Sequence, residues 1–114
     1  MILTREEAIE NHRKMWNWIA DETEKRKKTV FTEDYFIEHN LNSCFLYCYC
    51  CHYNKYINRS PNCETCPVEW GGETGICTDK DSPYVRFSLT QLYDYKNAAK
   101  YAREIANLPE RKIK

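Results

Sequence analysis

Residues 4–28 read TREEAIENHRKMWNWIADETEKRKK, and this stretch decides the fold class. Thr4-x-x-Glu7 is a capping box, in which each side chain satisfies the other residue's orphan backbone N–H at a helix start. Ala8, Ile9, His12, Met15, Trp16, Ile19 and Thr23 then recur at spacings of three and four, which is one face of an amphipathic helix. Lys25, Arg26, Lys27 and Lys28 close it, where cations suit the negative end of the helix dipole. That run can also be read as a phosphate-binding patch, but a solvated helix end is the simpler reading. A helix is therefore expected over residues 4–28.

Working outward, Thr32 reads as a second N-cap, with Glu33 and Asp34 in the first turn and Asn40 as a stop. A short helix is expected over 33–39, with Trp16, Trp18, Tyr35 and Phe36 packed together. Ser82-Pro83 is a further start, with Ser at the N-cap and Pro at the first helical position, where no N–H is needed. Ser88-x-x-Gln91 is either a new start or a kinked continuation. Leu92, Tyr95, Ala98, Ala99, Ala102, Ile105 and Ala106 form a stripe of small and medium residues. Alanines allow close approach, so the stripe is expected to face the first helix. The C-terminal helices are placed at 83–108, ended by Pro109, with a frayed basic tail over 110–114. The expected fold is one mainly α domain of 114 residues, with N- and C-terminal helices packed together around a zinc-stapled middle. Any sheet is expected to be a short hairpin near the metal.

That middle, residues 41–82, holds all seven cysteines. Cys48-x2-Cys51 and Cys63-x2-Cys66 have the spacing of a tetrahedral zinc site. A C-x2-C pair places two sulfurs on one ion from a tight turn, and the intervening residues are ample to close the loop. The expected cofactor is a structural Zn2+ bound by Cys48, Cys51, Cys63 and Cys66. Cys77 is a possible substitute within the second pair. Cys44 and Cys50 read as bystanders, since one metal rarely takes both of two adjacent thiols. His52 follows Cys51 and is either a ligand, a donor to a thiolate or a solvent-facing neighbour. An iron–sulfur cluster is the alternative for the same thiols, and a disulfide-rich secreted domain is the rival reading of the whole. The odd cysteine count favours metal in a reducing compartment. No stretch reaches the roughly 20 apolar residues of a membrane span, and the start lacks the pattern of a signal peptide. A cytoplasmic location is expected.

Charge bears on partners. The chain is neutral overall, with 17 basic and 17 acidic residues, but they are unevenly placed. Residues 41–82 carry three basic and five acidic side chains, whereas residues 83–114 carry seven and three. A zinc module that grips phosphates is expected to be basic, so the acidic middle weighs against a zinc-finger DNA reader. Aromatics are abundant at 14%, nine of them tyrosine, which is more amphipathic surface than a small core needs and points to a binding face. Catalytic signatures do not emerge. There is no phosphate-cradling glycine loop, no H-E-x-x-H, and no H-x-E paired with P-C-x-x-C, since Pro67 follows its cysteine pair. His12 lies on the apolar face of the first helix and reads as a core histidine. Asp79 and Asp81 precede a helix start, where dipole complementarity explains them.

Several strings taken together resemble a known group. They are Arg5-Glu6-Glu7-Ala8-Ile9 leading to His12-Arg13-Lys14-Met15-Trp16-Asn17-Trp18-Ile19-Ala20, then Cys48-x2-Cys51-x-Tyr53, and Cys63-x2-Cys66-Pro67-Val68-Glu69-Trp70. Cys77, Ser82-Pro83-Tyr84 and Ala102-Arg103-Glu104-Ile105-Ala106-Asn107-Leu108-Pro109-Glu110-Arg111 follow. In this order they resemble small cysteine-rich proteins encoded by phages and prophages of Gram-positive bacteria. The resemblance implies expression in a bacterial cytoplasm and centres on Cys48, Cys51, Cys63, Cys66 and Cys77. It supplies context and no activity. The leading expectation is a non-enzymatic phage accessory protein that binds a host protein, such as a defence or replication component. The alternative is a nucleic-acid-binding module using Lys96, Lys100, Arg103, Arg111 and Lys112. A zinc-dependent hydrolase or nuclease and a protein that sequesters a small nucleotide are further readings.

Overall fold

A computed structural model describes residues 4–39, 67–68, 82–90 and 94–110. The described residues are mainly helical: α1 (Arg5–Arg26), α2 (Thr32–Glu38), α3 (Pro83–Leu89) and α4 (Tyr95–Ala106). The N- and C-terminal helices pack together, and α1 makes its most extensive contact with α4. Helix α3 packs on α4, and α2 folds back on α1.

The start of α1 is closed by the reciprocal box: Thr4 Oγ1 accepts from Glu7 N at 3.1 Å, and Thr4 N donates to Glu7 Oε1 at 3.2 Å. Its buried residues are Ala8, Ile9, His12, Met15, Trp16, Ile19, Ala20 and Thr23, the stripe that the spacing predicts with Ala20 added. Lys27 ends the helix in the left-handed region, at φ 57°. Thr23 Oγ1 then accepts from Val30 N at 3.1 Å, which holds the connection to α2 under the end of α1.

Helix α2 starts one residue earlier than the sequence suggests. Phe31 is the N-cap and Thr32 is already helical. The orphan N–H of Phe31 donates to Asp34 Oδ2 at 2.9 Å, so a carboxylate in the first turn does the capping from inside the helix. His39 is the C-cap, and Asn40 lies outside the described residues. Ser82 caps α3 as expected, its Oγ accepting from Val85 N at 3.2 Å with Pro83 at the first position. Ser88 does not start a helix: its hydroxyl donates to the Val85 carbonyl at 2.8 Å, within α3. Asp94 stands at the N-cap of α4, and both its carboxylate oxygens accept from Asn97 Nδ2 at 3.1 Å.

The core joins these elements. Ala98, Ala102, Ile105 and Ala106 of α4 are buried in one cluster with Ile9, Met15, Trp16 and Ile19 of α1. Alanine is the smallest side chain of good helix propensity, so its stripe lets two helix axes come close. Tyr35 and Phe36 close the cluster from α2, Phe87 from α3, and Val68 from the central segment. Each fully buried large side chain contributes roughly 1.5–3 kcal/mol relative to an exposed one. Trp16, Tyr35 and Phe36 share this cluster and Trp18 packs against it, as the sequence suggests. Trp16 meets Phe87 edge-on at 5.1 Å and Tyr84 at 6.2 Å, while Trp18 lies 5.4 Å from Tyr35.

Candidate metal centre and the helical platform beside it

The sequence-derived ligands Cys48, Cys51, Cys63 and Cys66, the substitute Cys77, the bystanders Cys44 and Cys50, and His52 all lie outside the described residues. So does the expected hairpin. What is described is the chain immediately after the second cysteine pair. Pro67 and Val68 are both buried to within 2% of full exclusion from solvent. The Pro67 carbonyl accepts from Arg5 Nη2 at 3.3 Å, across 62 residues of sequence. Val68 forms an antiparallel bridge with Glu110, beyond the end of α4. One peptide bond from Cys66, the backbone is thus tied to the start of α1 and to the segment leaving α4.

The same end of the helix pair is satisfied by side chains of α1. His12 is fully buried, and its Nε2 donates to the Ile105 carbonyl at 3.0 Å, which places the proton on Nε2. Arg13 Nη2 donates to the Leu108 carbonyl at 3.3 Å. Side chains of α1 thus bond the last turn of α4 at Ile105 and the segment just beyond it at Leu108. His12 is therefore a core histidine with a packing role.

Two arginines organise the exposed side. Arg26 makes a forked pair with Glu38: Nη1 donates to Oε2 at 2.7 Å and Nη2 to Oε1. It also donates to Glu22 Oε1 from Nε at 3.2 Å and from Nη2 at 2.9 Å. Its guanidinium lies 5.6 Å from the centre of the Trp18 ring. The hydrogen bond from Arg26 holds the Glu38 carboxyl below its ordinary range, and the two carboxylates hold the guanidinium charged. Beside them His39 lies 4.1 Å from the Tyr35 ring and 5.0 Å from Trp18, with Nδ1 donating to the Tyr35 carbonyl at 2.8 Å. Burial pushes the Tyr35 hydroxyl above its usual value. On the other flank Arg103 donates from Nη2 to Asp21 at 2.8 Å and to Glu24 at 2.6 Å, joining α4 to α1.

Of the basic residues considered for nucleic-acid binding, Lys96 and Lys100 are exposed on α4, Arg103 is engaged by two carboxylates, and Arg111 and Lys112 lie outside the described residues. The Arg26–Glu22 pair has a signal in sequence, an i,i+4 spacing on α1; the Glu38 arm and the Arg5–Pro67 bond have none. Large apolar side chains are exposed on α2 and α3 and before α2: Ile37 at 74%, Leu89 at 77%, Phe31 at 47% and Tyr84 at 38%. Among the described residues no helix is long and apolar enough to cross a membrane, and no three His, Cys, Asp or Glu side chains are grouped to hold a metal. Comparison with protein-family models, with curated proteins and with solved structures finds no match to this chain.

Proposed function

We propose that this chain is a non-enzymatic, zinc-stapled binding protein whose partner is another protein. The observation that carries the reading is the C-x2-C pair repeated once, Cys48/Cys51 and Cys63/Cys66. Four thiolates fill a tetrahedral zinc and leave no position for substrate. The resemblance to small phage-encoded cysteine-rich proteins supports a role as a phage accessory protein in a bacterial cytoplasm, acting on a host defence or replication component. The exposed Ile37 and Leu89, set on helices whose opposite sides are buried, support a protein contact over a phosphate contact. The nucleic-acid alternative is disfavoured by Arg103, whose charge is met by Asp21 and Glu24.

The test has two steps. Elemental analysis and X-ray absorption of the reduced protein should find one zinc with four sulfur neighbours. A zinc with a light-atom ligand reopens the hydrolase reading and places His52 at its centre. Tagged protein should then retain a stoichiometric host protein from lysate, and Ile37→Lys with Leu89→Lys should release it while the helical circular dichroism is unchanged. Salt-sensitive retention of nucleic acid in its place would favour the alternative.

A further inference from the structure

The second cysteine pair runs without a spacer into Pro67 and Val68, the described part of the central segment. Cys66 is followed by Pro67, whose ring restricts φ and whose carbonyl is held by Arg5. Val68 comes next, with its side chain in the core and its backbone bridged to Glu110. These contacts cross between the first residue of α1 and the segment after α4, the two elements whose packing defines the domain. A ligand whose neighbouring backbone is already fixed loses less freedom when it binds. Linkage between two equilibria is reciprocal, so whatever fixes this backbone strengthens metal binding, and metal binding in turn fixes the backbone.

Resting on the zinc reading above, we propose that Arg5 and the Val68–Glu110 bridge position the second cysteine pair, so that metal loading and the docking of the start of α1 near the end of α4 form one linked equilibrium. Arg5 is a positioning residue: it acts through the Pro67 carbonyl.

The experiment uses the full chain, reduced and zinc-loaded. Zinc affinity is read by competition with a chromophoric chelator for wild type, Arg5→Met, Arg5→Lys and Arg103→Met. Methionine keeps an unbranched stem and good helix propensity. Arg103→Met is the control, because it loosens α1 against α4 at Asp21, about 24 Å along the helix from Arg5. Arg5→Met is expected to weaken zinc binding about 10-fold, within the range seen for groups that orient metal ligands. Arg5→Lys should recover part of this, and Arg103→Met should match wild type. Zinc should also raise the Tm of wild type more than that of Arg5→Met. Equal zinc affinity and equal zinc-induced Tm shifts in wild type and Arg5→Met would overturn the proposal. So would an equal loss in Arg103→Met, which would make the effect one of general stability. Zinc held by four sulfurs with no response to Arg5 removes this inference alone; wild type that binds no zinc removes the metal reading and this proposal with it.

Discussion

Lys27 shows how much a single residue can store. Its φ of 57° puts a β-carbon in the left-handed region, which costs an L-residue roughly 1–2 kcal/mol. Glycine is the usual occupant at this place in a helix end, but it also adds freedom to the unfolded chain, worth roughly 0.5–1 kcal/mol. The difference leaves Lys27→Gly more stable by about 0.5 kcal/mol, read as a higher urea midpoint at constant slope. A lower midpoint would mean that the lysine side chain contributes an interaction larger than the backbone strain. His12 is the opposite case, a buried polar residue whose Nε2 is bonded to a backbone carbonyl of the neighbouring helix. Removing the imidazole opens a cavity between α1 and α4 and withdraws the donor to the Ile105 carbonyl. His12→Ala should lose about 2–4 kcal/mol by urea denaturation. A loss below about 1 kcal/mol would show that the surrounding side chains collapse into the space.

At the scale of elements, α2 is held to α1 by the packing of Tyr35 and Phe36 and by a forked ion pair, and the ion pair is sensitive to acid. Glu38 titrates below its ordinary value of 4.5 because Arg26 bonds its ionised form. A depressed carboxylate contributes stability that is present above the ordinary value and is lost as pH falls through the folded one. Glu38→Gln should therefore be less stable than wild type at neutral pH, and the two should converge in acid below the ordinary glutamate range. A constant difference between their urea midpoints across that range would assign the effect to packing. The α1–α4 contact tests differently. Ala102 is fully buried where the two helices meet. Ala102→Leu should cost about 1–3 kcal/mol through overpacking, while exposed Lys100→Leu should stay within about 0.5 kcal/mol of wild type. Equal midpoints for the two variants would contradict close approach. These elements were legible in sequence to different degrees. The stripes of α1 and α4 were plain, because burial on one side of a helix imposes a spacing that survives in the residue order. The cap of α2 was misplaced by one residue, because the rule looks for a polar N-cap side chain and here Asp34 reaches back to Phe31 N–H. Ser88 was a misleading start because a serine hydroxyl bonds a preceding carbonyl as readily as it caps a following turn. The Arg5–Pro67 bond spans 62 residues and leaves no local pattern. The proposed metal centre is the converse: its thiol spacing is legible in sequence, while its cysteines lie outside the described residues.

For the whole molecule the question is how much of the fold would depend on the proposed zinc. The described core is drawn from α1, α2, α3 and α4, with Leu108 after α4 and Val68 beside them. That composition differs from a small zinc finger, which has too little apolar surface to fold without its ion. Here the helix pair has its own buried stripe, its own capping box and its own cross-helix hydrogen bonds from His12 and Arg13. Zinc is then expected to set the stability of one end of the domain rather than the existence of the helices. Stripping the metal with a chelator under reducing conditions should leave most of the helical circular dichroism in place at 20 °C (about room temperature), since the stabilisation of a bound ligand adds to that of an already folded core. The Tm should fall, and amide exchange should accelerate first at Val68, Glu110 and the opening turn of α1, where the central segment is anchored. Restoring zinc should reverse both changes. Complete loss of the helical signal on chelation would show that the cysteine-rich region nucleates the fold and that the α1–α4 pair has no stability of its own. Uniform acceleration of exchange along α1, with the helical signal retained, would place the coupling across the whole helix pair and away from the Pro67–Val68 anchor.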